Sequence, residues 1–226
     1  MSSCAKCFYP EKVCRNQKGK GLDDCPTNCN TNELERAMGK YQQDVYKTFS
    51  KAAAQQEASG YGHDADGEAF PTKTRLQETI EFCLRMEYKK IGLAFCLGLQ
   101  KEAAIVNDIL VSNGFDVVSV ICKVGGICKE DFGLEQKDKI NPGEYEVICN
   151  PIAQAEICNA QKTEFNIVLG LCVGHDSMFF KNSNAFCTVF AVKDRVLAHN
   201  PLGAIYTSKT YYKRLNKVKQ GVKDNE

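Results

Sequence analysis

From about residue 90 onward the chain alternates short, continuously apolar, β-branched runs with stretches of helical period. Strands are predicted at residues 91–95, 115–121, 145–148, 165–171 and 186–192. Between the first two, Leu99, Ala103, Val106 and Leu110 recur at helical spacing and end at Asn113-Gly114. Pro151 stands where the first turn of a further helix would begin. Strands that are apolar throughout and separated by helices argue for a parallel sheet covered on both faces. Upstream, Leu34, Ala37, Met38, Tyr41, Val45, Phe49 and Ala52 recur at helical spacing. They predict one long helix, capped by Asn30 with Glu33 three residues on and ended at Gly60. Residues 60–71 read as a loop closed by Pro71. A second helix is predicted from Thr74, with Gln77 in capping-box register and a core face of Leu76, Ile80, Cys83 and Leu84.

The first 30 residues break this pattern. They are polar and rich in Lys, Asn, Gly and Asp, with almost no aliphatic side chains. Such a segment cannot fold on a core of its own. The organisation expected is therefore a cysteine-rich, metal-stapled segment at 1–30, a helix and loop linker at 31–71, and a Rossmann-like α/β domain at 72–226.

Length and charge narrow the function classes. A chain of 226 residues can bury a core without covalent staples. With 29 Lys+Arg against 28 Asp+Glu, it has neither the basic excess of a nucleic-acid protein nor an acidic tail. The basic stretch at 209–223 reads as a solvated terminal helix and tail. No apolar run is long enough to cross a membrane. The start, Met-Ser-Ser-Cys-Ala-Lys-Cys, has no apolar signal region, so a cytoplasmic address is expected.

Cysteine changes the picture: 13 in the chain, against 3 His and no Trp. An odd count without a signal region points to metal or redox chemistry rather than disulfides. Cys96, Cys122, Cys149 and Cys172 each directly follow a predicted strand. In an open α/β sheet, ligands bind outside the carboxyl ends of the strands, and neighbouring strands lie about 5 Å apart. One buried cysteine is usually a small core hydrophobe; four at the same structural position argue for a shared site. Thiolates select zinc, copper(I) or an iron–sulfur cluster. These four are 26, 27 and 23 residues apart, with no local Cys-x-x-Cys pair, which suits a cluster better than a structural zinc ion. A crevice cluster of the [4Fe–4S] type is therefore expected. Cys128 is a reserve ligand. Cys83, Cys158 and Cys187 read as core packing.

His175, in Cys172-Val-Gly-His175, lies about one turn past Cys172 and near a helix start, where it could ligate metal or move protons. A hydrogen-bonding helix-start histidine is the plainer alternative. His199 reads as a turn residue at the crevice rim and His63 as solvent-exposed. At the N-terminus, Cys4, Cys7, Cys14 and Cys25 form a second metal-ligand set for zinc or an iron–sulfur cluster. Cys29 competes for the fourth place; Cys25 is preferred because it precedes Pro26. Nucleotide and dinucleotide fingerprints and the Gly-x-Ser-x-Gly elbow are absent from the sequence.

Several of these segments resemble a known family. They are Ile91-Gly-Leu-Ala-Phe-Cys96-Leu-Gly-Leu, Cys122-Lys-Val-Gly-Gly126, Cys149-Asn-Pro-Ile-Ala-Gln-Ala-Glu156, Gly170-Leu-Cys172-Val-Gly-His175-Asp-Ser177 and Val192-Lys-Asp-Arg-Val-Leu-Ala-His199-Asn-Pro201. Together they are similar to the domain of unknown function 1847 family, prokaryotic proteins frequent in anaerobes. The resemblance implies metal binding and supplies no reaction. It departs at the N-terminus, where the gap from Cys7 to Cys14 is long and Cys29 is extra, and at residues 62–71. Three functions fit. The first is a redox or Lewis-acid metalloenzyme, with an electron-transfer protein or a small-molecule substrate as partner. The second is a non-enzymatic metal or sulfur carrier. The third is a structural zinc protein with a small-molecule pocket.

Overall fold

The computed structural model of the chain describes residues 3–217. The chain divides into two compact units, Met1–Thr72 and Lys73–Glu226.

In the first unit, short turns cover residues 3–25 and lead into α1 (Pro26–Cys29), α2 (Thr31–Tyr41) and α3 (Asp44–Ser59). The single helix expected over 34–59 is thus two helices. Gln43 takes an extended backbone, with φ −70° and ψ 134°, and the ladder restarts when Lys47 N–H donates to the Gln43 carbonyl. The run Lys40-Tyr41-Gln42-Gln43 has little to bury, and Asp44 favours a new helix N-terminus. Leu34, Met38, Tyr41 and Val45, expected to face a core, are exposed. The loop expected at 60–71 carries a small antiparallel hairpin, β1 (Tyr61–His63) and β2 (Ala69–Pro71), and His63 is exposed as expected.

The second unit is a parallel sheet flanked by helices. It starts with α4 (Arg75–Arg85), where the Thr74 side chain accepts from Gln77 N–H and caps the helix. Its buried face is Thr79, Phe82 and Cys83, rotated from the expected one, and Leu84 is exposed. Phe82 reaches the sheet, with its ring centroid 5.5 Å from that of Phe165. Then follow β3 (Lys90–Phe95), α5 (Gln100–Ser112), β4 (Asp116–Ile121), α6 (Pro151–Ala160), β5 (Phe165–Leu169), α7 (His175–Asn182), β6 (Phe186–Ala191) and α8 (Leu202–Tyr206). The strand order is β4-β3-β5-β6, every pair parallel. The chain therefore leaves β3 toward β4 and later crosses back past β3 to β5. Right-handed crossovers in opposite directions place their helices on opposite faces. They also put the topological switch point at the carboxyl ends of β3 and β5.

Alternation along the strands sorts the core into two layers. Ala94, Val120 and Val168 form one buried cluster with Ala155 and Cys158 of α6 and Phe179 of α7. Every residue of β5 is buried; the one polar member, Asn166, accepts from the Thr163 hydroxyl at 2.8 Å and donates to Ser183 Oγ at 2.8 Å.

Residues 145–148 do not form a sheet strand. Cys128 and Val147 make an antiparallel bridge, Lys129 N–H donates to the Glu146 carbonyl and Ile148 N–H to the Ile127 carbonyl. Glu144-Tyr-Glu-Val alternates in polarity and Tyr145 is exposed, which suits a local ribbon rather than a strand buried on both faces. The basic stretch predicted as a terminal helix reaches a short 3₁₀ turn at Lys213–Lys217, and positions 218–223 lie outside the described residues. No helix among the described residues is long and apolar enough to cross a membrane.

Candidate functional site

The carboxyl edge of the sheet brings three cysteines together for reasons that the register supplies. Phe95 pairs with Ile121, so Cys96 and Cys122 are the next residues of two neighbouring strands. Each follows a residue of the α6–α7 layer, Ala94 and Val120, by two positions, and so faces the same way. Cys96 N–H donates to the Leu169 carbonyl at 3.1 Å and Cys122 N–H to the Phe95 carbonyl at 2.9 Å, which carries strand geometry one residue further. Cys149 arrives differently. After the long excursion from Lys123, Asn150 N–H donates to the Cys122 carbonyl at 2.7 Å. Asn150 also caps α6, its side chain accepting from Ala153 N–H at 3.0 Å, with Pro151 in the first turn. The fixed cap delivers Cys149 beside Cys122.

The three side chains form a hydrogen-bonded chain with Cys122 at its centre. Its bonds to Cys149 and Cys96, together with burial, push the Cys122 thiol up, so it keeps its proton. The Cys122 bond, then the Gly98 N–H and Lys193, hold Cys96 down to about 5 against desolvation. The Cys122 bond, then the charges of Lys123 and His175, bring Cys149 down to about 6. Leu97 N–H also donates to the Cys122 Sγ at 3.3 Å.

Cys172 takes no part in that chain. It lies three residues beyond β5, and its Sγ accepts from the Arg195 guanidinium at 3.0 Å. Gly174 follows with φ +85°, a left-handed turn that suits glycine, and His175 opens α7 with its N–H on the Cys172 carbonyl. The His175 ring is close enough for its charge to act on Cys149. Its Nδ1 is buried without a hydrogen-bond partner. His199 sits in a turn with φ +64°, and its Nδ1 accepts from Asp194 N–H at 3.2 Å.

The other cysteines separate cleanly. Cys83 and Cys158 are fully buried, and desolvation pushes their thiols up to about 12 and about 11. Cys187, inside β6, is raised by burial too. Cys128 donates to Glu130 at 2.6 Å, away from the three-cysteine chain. In the first unit, Cys4, Cys7, Cys14 and Cys25 all line one cavity of about 100 Å³, and Cys29 does not. The Cys29 thiol instead donates to the Asp23 carbonyl at 3.2 Å. All 13 cysteines are free thiols. Among the described residues no group of three or more His, Cys, Asp or Glu side chains is disposed around one point to hold a metal ion.

Residues that the sequence reading passed over complete the crevice. Lys123, Lys193 and Arg195 set a cation beside Cys149, Cys96 and Cys172 respectively. The signal was positional: Lys123 directly follows Cys122, and Lys193 and Arg195 lie two and four residues past the end of β6. Gln154, fully buried on α6, donates to the carbonyls of Phe95 at 3.2 Å and Val120 at 2.7 Å. It ties the helix to the two strand ends from which Cys96 and Cys122 emerge.

A parallel α/β protein with three cysteines gathered at the carboxyl ends of two neighbouring strands, β3 and β4, is thus the class that fold and site define. The chain belongs to the DUF1847 family, proteins of unknown function, whose profile matches residues 25–190. It is 45% identical over 212 residues to the uncharacterized protein MJ0455 of Methanocaldococcus jannaschii, covering 94% of this chain and 97% of that one. No solved structure matches.

Proposed function

We propose that the chain is a metal-binding protein that carries an iron–sulfur or mixed-metal cluster at Cys96, Cys122, Cys149 and Cys172, with redox or Lewis-acid activity on a small molecule. The observation that supports it most is the chain of three strand-edge and helix-start thiols at the carboxyl ends of β3 and β4, with Cys96 and Cys149 held well below the usual thiol range by Cys122 and nearby cations. The donor set fits: sulfur ligands select soft metals, and thiolates are the form that binds. Cys122 gives up its proton on binding, so metal uptake is proton-coupled. A bound cluster supplies one-electron transfer or a Lewis-acid position. Lys123, Lys193 and Arg195 offset the thiolate charge, each from its own segment. His175, with its buried and unpartnered Nδ1, holds a proton or a ligand position at the crevice.

A carrier that passes on metal or sulfur is the second reading. It is favoured by access, since Cys149 and Cys172 are only half-buried. A structural zinc role fits least, because this unit has its own core and needs no staple.

The test is elemental analysis of protein purified without oxygen from iron-supplied cells, beside the Cys96→Ser/Cys149→Ser double variant. Wild type should hold iron and acid-labile sulfide in excess of whatever the variant holds, with unchanged far-ultraviolet circular dichroism. Equal iron and sulfide in both, or zinc alone in wild type, refutes the reading. Rapid transfer of bound iron or zinc to a chelator would select the carrier.

A further inference from the structure

We propose that the N-terminal unit holds a second centre of its own, a four-iron cluster ligated by Cys4, Cys7, Cys14 and Cys25, with Cys29 excluded. The inference is independent of the crevice, since every residue in it lies in Met1–Thr72.

Four features support it. The first is convergence. Four cysteines spread over 22 positions line one cavity, and the fifth, Cys29, is turned to a backbone carbonyl instead. The turns responsible are visible. Cys7 N–H donates to the Cys4 carbonyl, Lys20 N–H to the Glu11 carbonyl and Val13 N–H to the Lys20 carbonyl, so the segment doubles back on itself. Gly21 then lets Cys25 approach. A Cβ at position 21 would stand 2.9 Å from both the Cβ and the Sγ of Cys25, a space that only glycine leaves open.

The second is size. By the same measure about 10–15 Å³ accommodates one water, so a cavity of about 100 Å³ has room for several atoms. A single zinc ion needs no such cavity, because tetrahedral Zn–S bonds of about 2.3 Å bring its sulfurs to within about 3.8 Å of one another. The four thiols share the cavity, yet no three of them surround a point.

The third is charge. Four thiolates around a doubly positive four-iron core leave a net charge of about −2. Lys12 and Lys20 line the cavity, with Asp24 as the lone acidic lining residue. Val13 and Leu22 supply apolar wall, which keeps water from the sulfides.

The fourth is folding. Residues 3–30 contain no buried side chain. A segment with nothing to bury gains its order from ligand bonds, and binding energy at such a site is folding energy.

The experiment uses the full chain in the Cys96→Ser/Cys149→Ser background, where the crevice has lost two thiols. Oxygen-free reconstitution with iron and sulfide should leave about four iron and four sulfide per chain, with broad visible absorption and a reducible paramagnetic signal. Adding Cys29→Ser should leave the iron content unchanged. Adding Cys14→Ser/Cys25→Ser should remove the iron and expose the first 30 residues to protease, while a fragment spanning the sheet strands of 90–191 stays resistant. Gly21→Ala should lower cluster occupancy several-fold without touching a ligand. Absence of iron in the background variant overturns the inference, as does one zinc in place of iron and sulfide. Loss of iron on Cys29→Ser with retention on Cys14→Ser/Cys25→Ser overturns the ligand set. Failure of the crevice reading shows separately, as equal iron in wild type and the background variant.

Discussion

The hydrogen-bonded chain through Cys122 makes a quantitative prediction about Cys149 in metal-free protein. Cys149 is brought from an ordinary 9.0 to about 6, first by the Cys122 bond and then by Lys123 and His175. At pH 6 about half of it is thiolate, against about 0.1% of an ordinary cysteine, an advantage of about 500-fold. A less basic thiolate is also a weaker nucleophile. With a Brønsted slope of about 0.45, three units cost about 20-fold, which leaves a net gain of about 20-fold. Partial burial scales the absolute rate but not its pH dependence. Iodoacetamide labelling, read by peptide mass spectrometry from pH 4.5 to 9.5 after chelator treatment, should therefore show a midpoint near 6 for the Cys149 peptide. Cys122→Ala removes the donor and should move that midpoint upward by at least one unit. The sign is fixed by which form is bound. The Cys122 thiol donates to the thiolate, stabilises it, and thereby lowers the Cys149 value. A wild-type midpoint at 8.5 or above, or one indifferent to Cys122→Ala, would refute the chain of thiols on which the crevice reading rests.

Two further outcomes test the architecture. Gln154→Leu removes two buried donations at nearly constant volume and leaves the Val120 carbonyl without its 2.7 Å donor. It should cost about 1–3 kcal/mol and lower Tm by about 2–4 °C per kcal/mol in a thermal melt; an unchanged Tm would show that the helix-to-strand tie is idle. Cys83 is raised from 9.0 to about 12 by burial, so its stabilisation is complete below pH 9 and lost as pH rises toward 12. Urea unfolding should show wild type losing about 2 kcal/mol more than Cys83→Ala between pH 9 and 10.5, and equal losses would contradict the burial of that thiol.

The sequence by itself determined a good deal of the second unit. Short apolar, β-branched runs separated by helical stretches are the mark of a parallel sheet between helices, so four strands and a parallel sheet were legible as pattern. The placement of Cys96 and Cys122 at strand ends was legible for the same reason, since period-two geometry carries a residue's position along with the strand. Cys14 and Cys25 could be grouped with Cys4 and Cys7 by proximity in sequence, but the preference for Cys25 over Cys29 rested on Pro26 alone, because spacing does not say which way a thiol turns. Only the tertiary structure shows how the two differ: Gly21 leaves room for Cys25, and the Cys29 thiol donates to the Asp23 carbonyl. It also decided Cys149, which reaches Cys122 from a capped helix start and not from a strand. It broke one helix at Gln43 and left its apolar stripe exposed, because periodicity specifies a face and not what covers it. Finally, it placed Lys123, Lys193 and Arg195 beside the thiols. Charge pairing between segments 20 to 100 residues apart depends on which strand ends are neighbours, and strand order β4-β3-β5-β6 is a property of the folded sheet, set by how the crossovers pack and not by any local pattern.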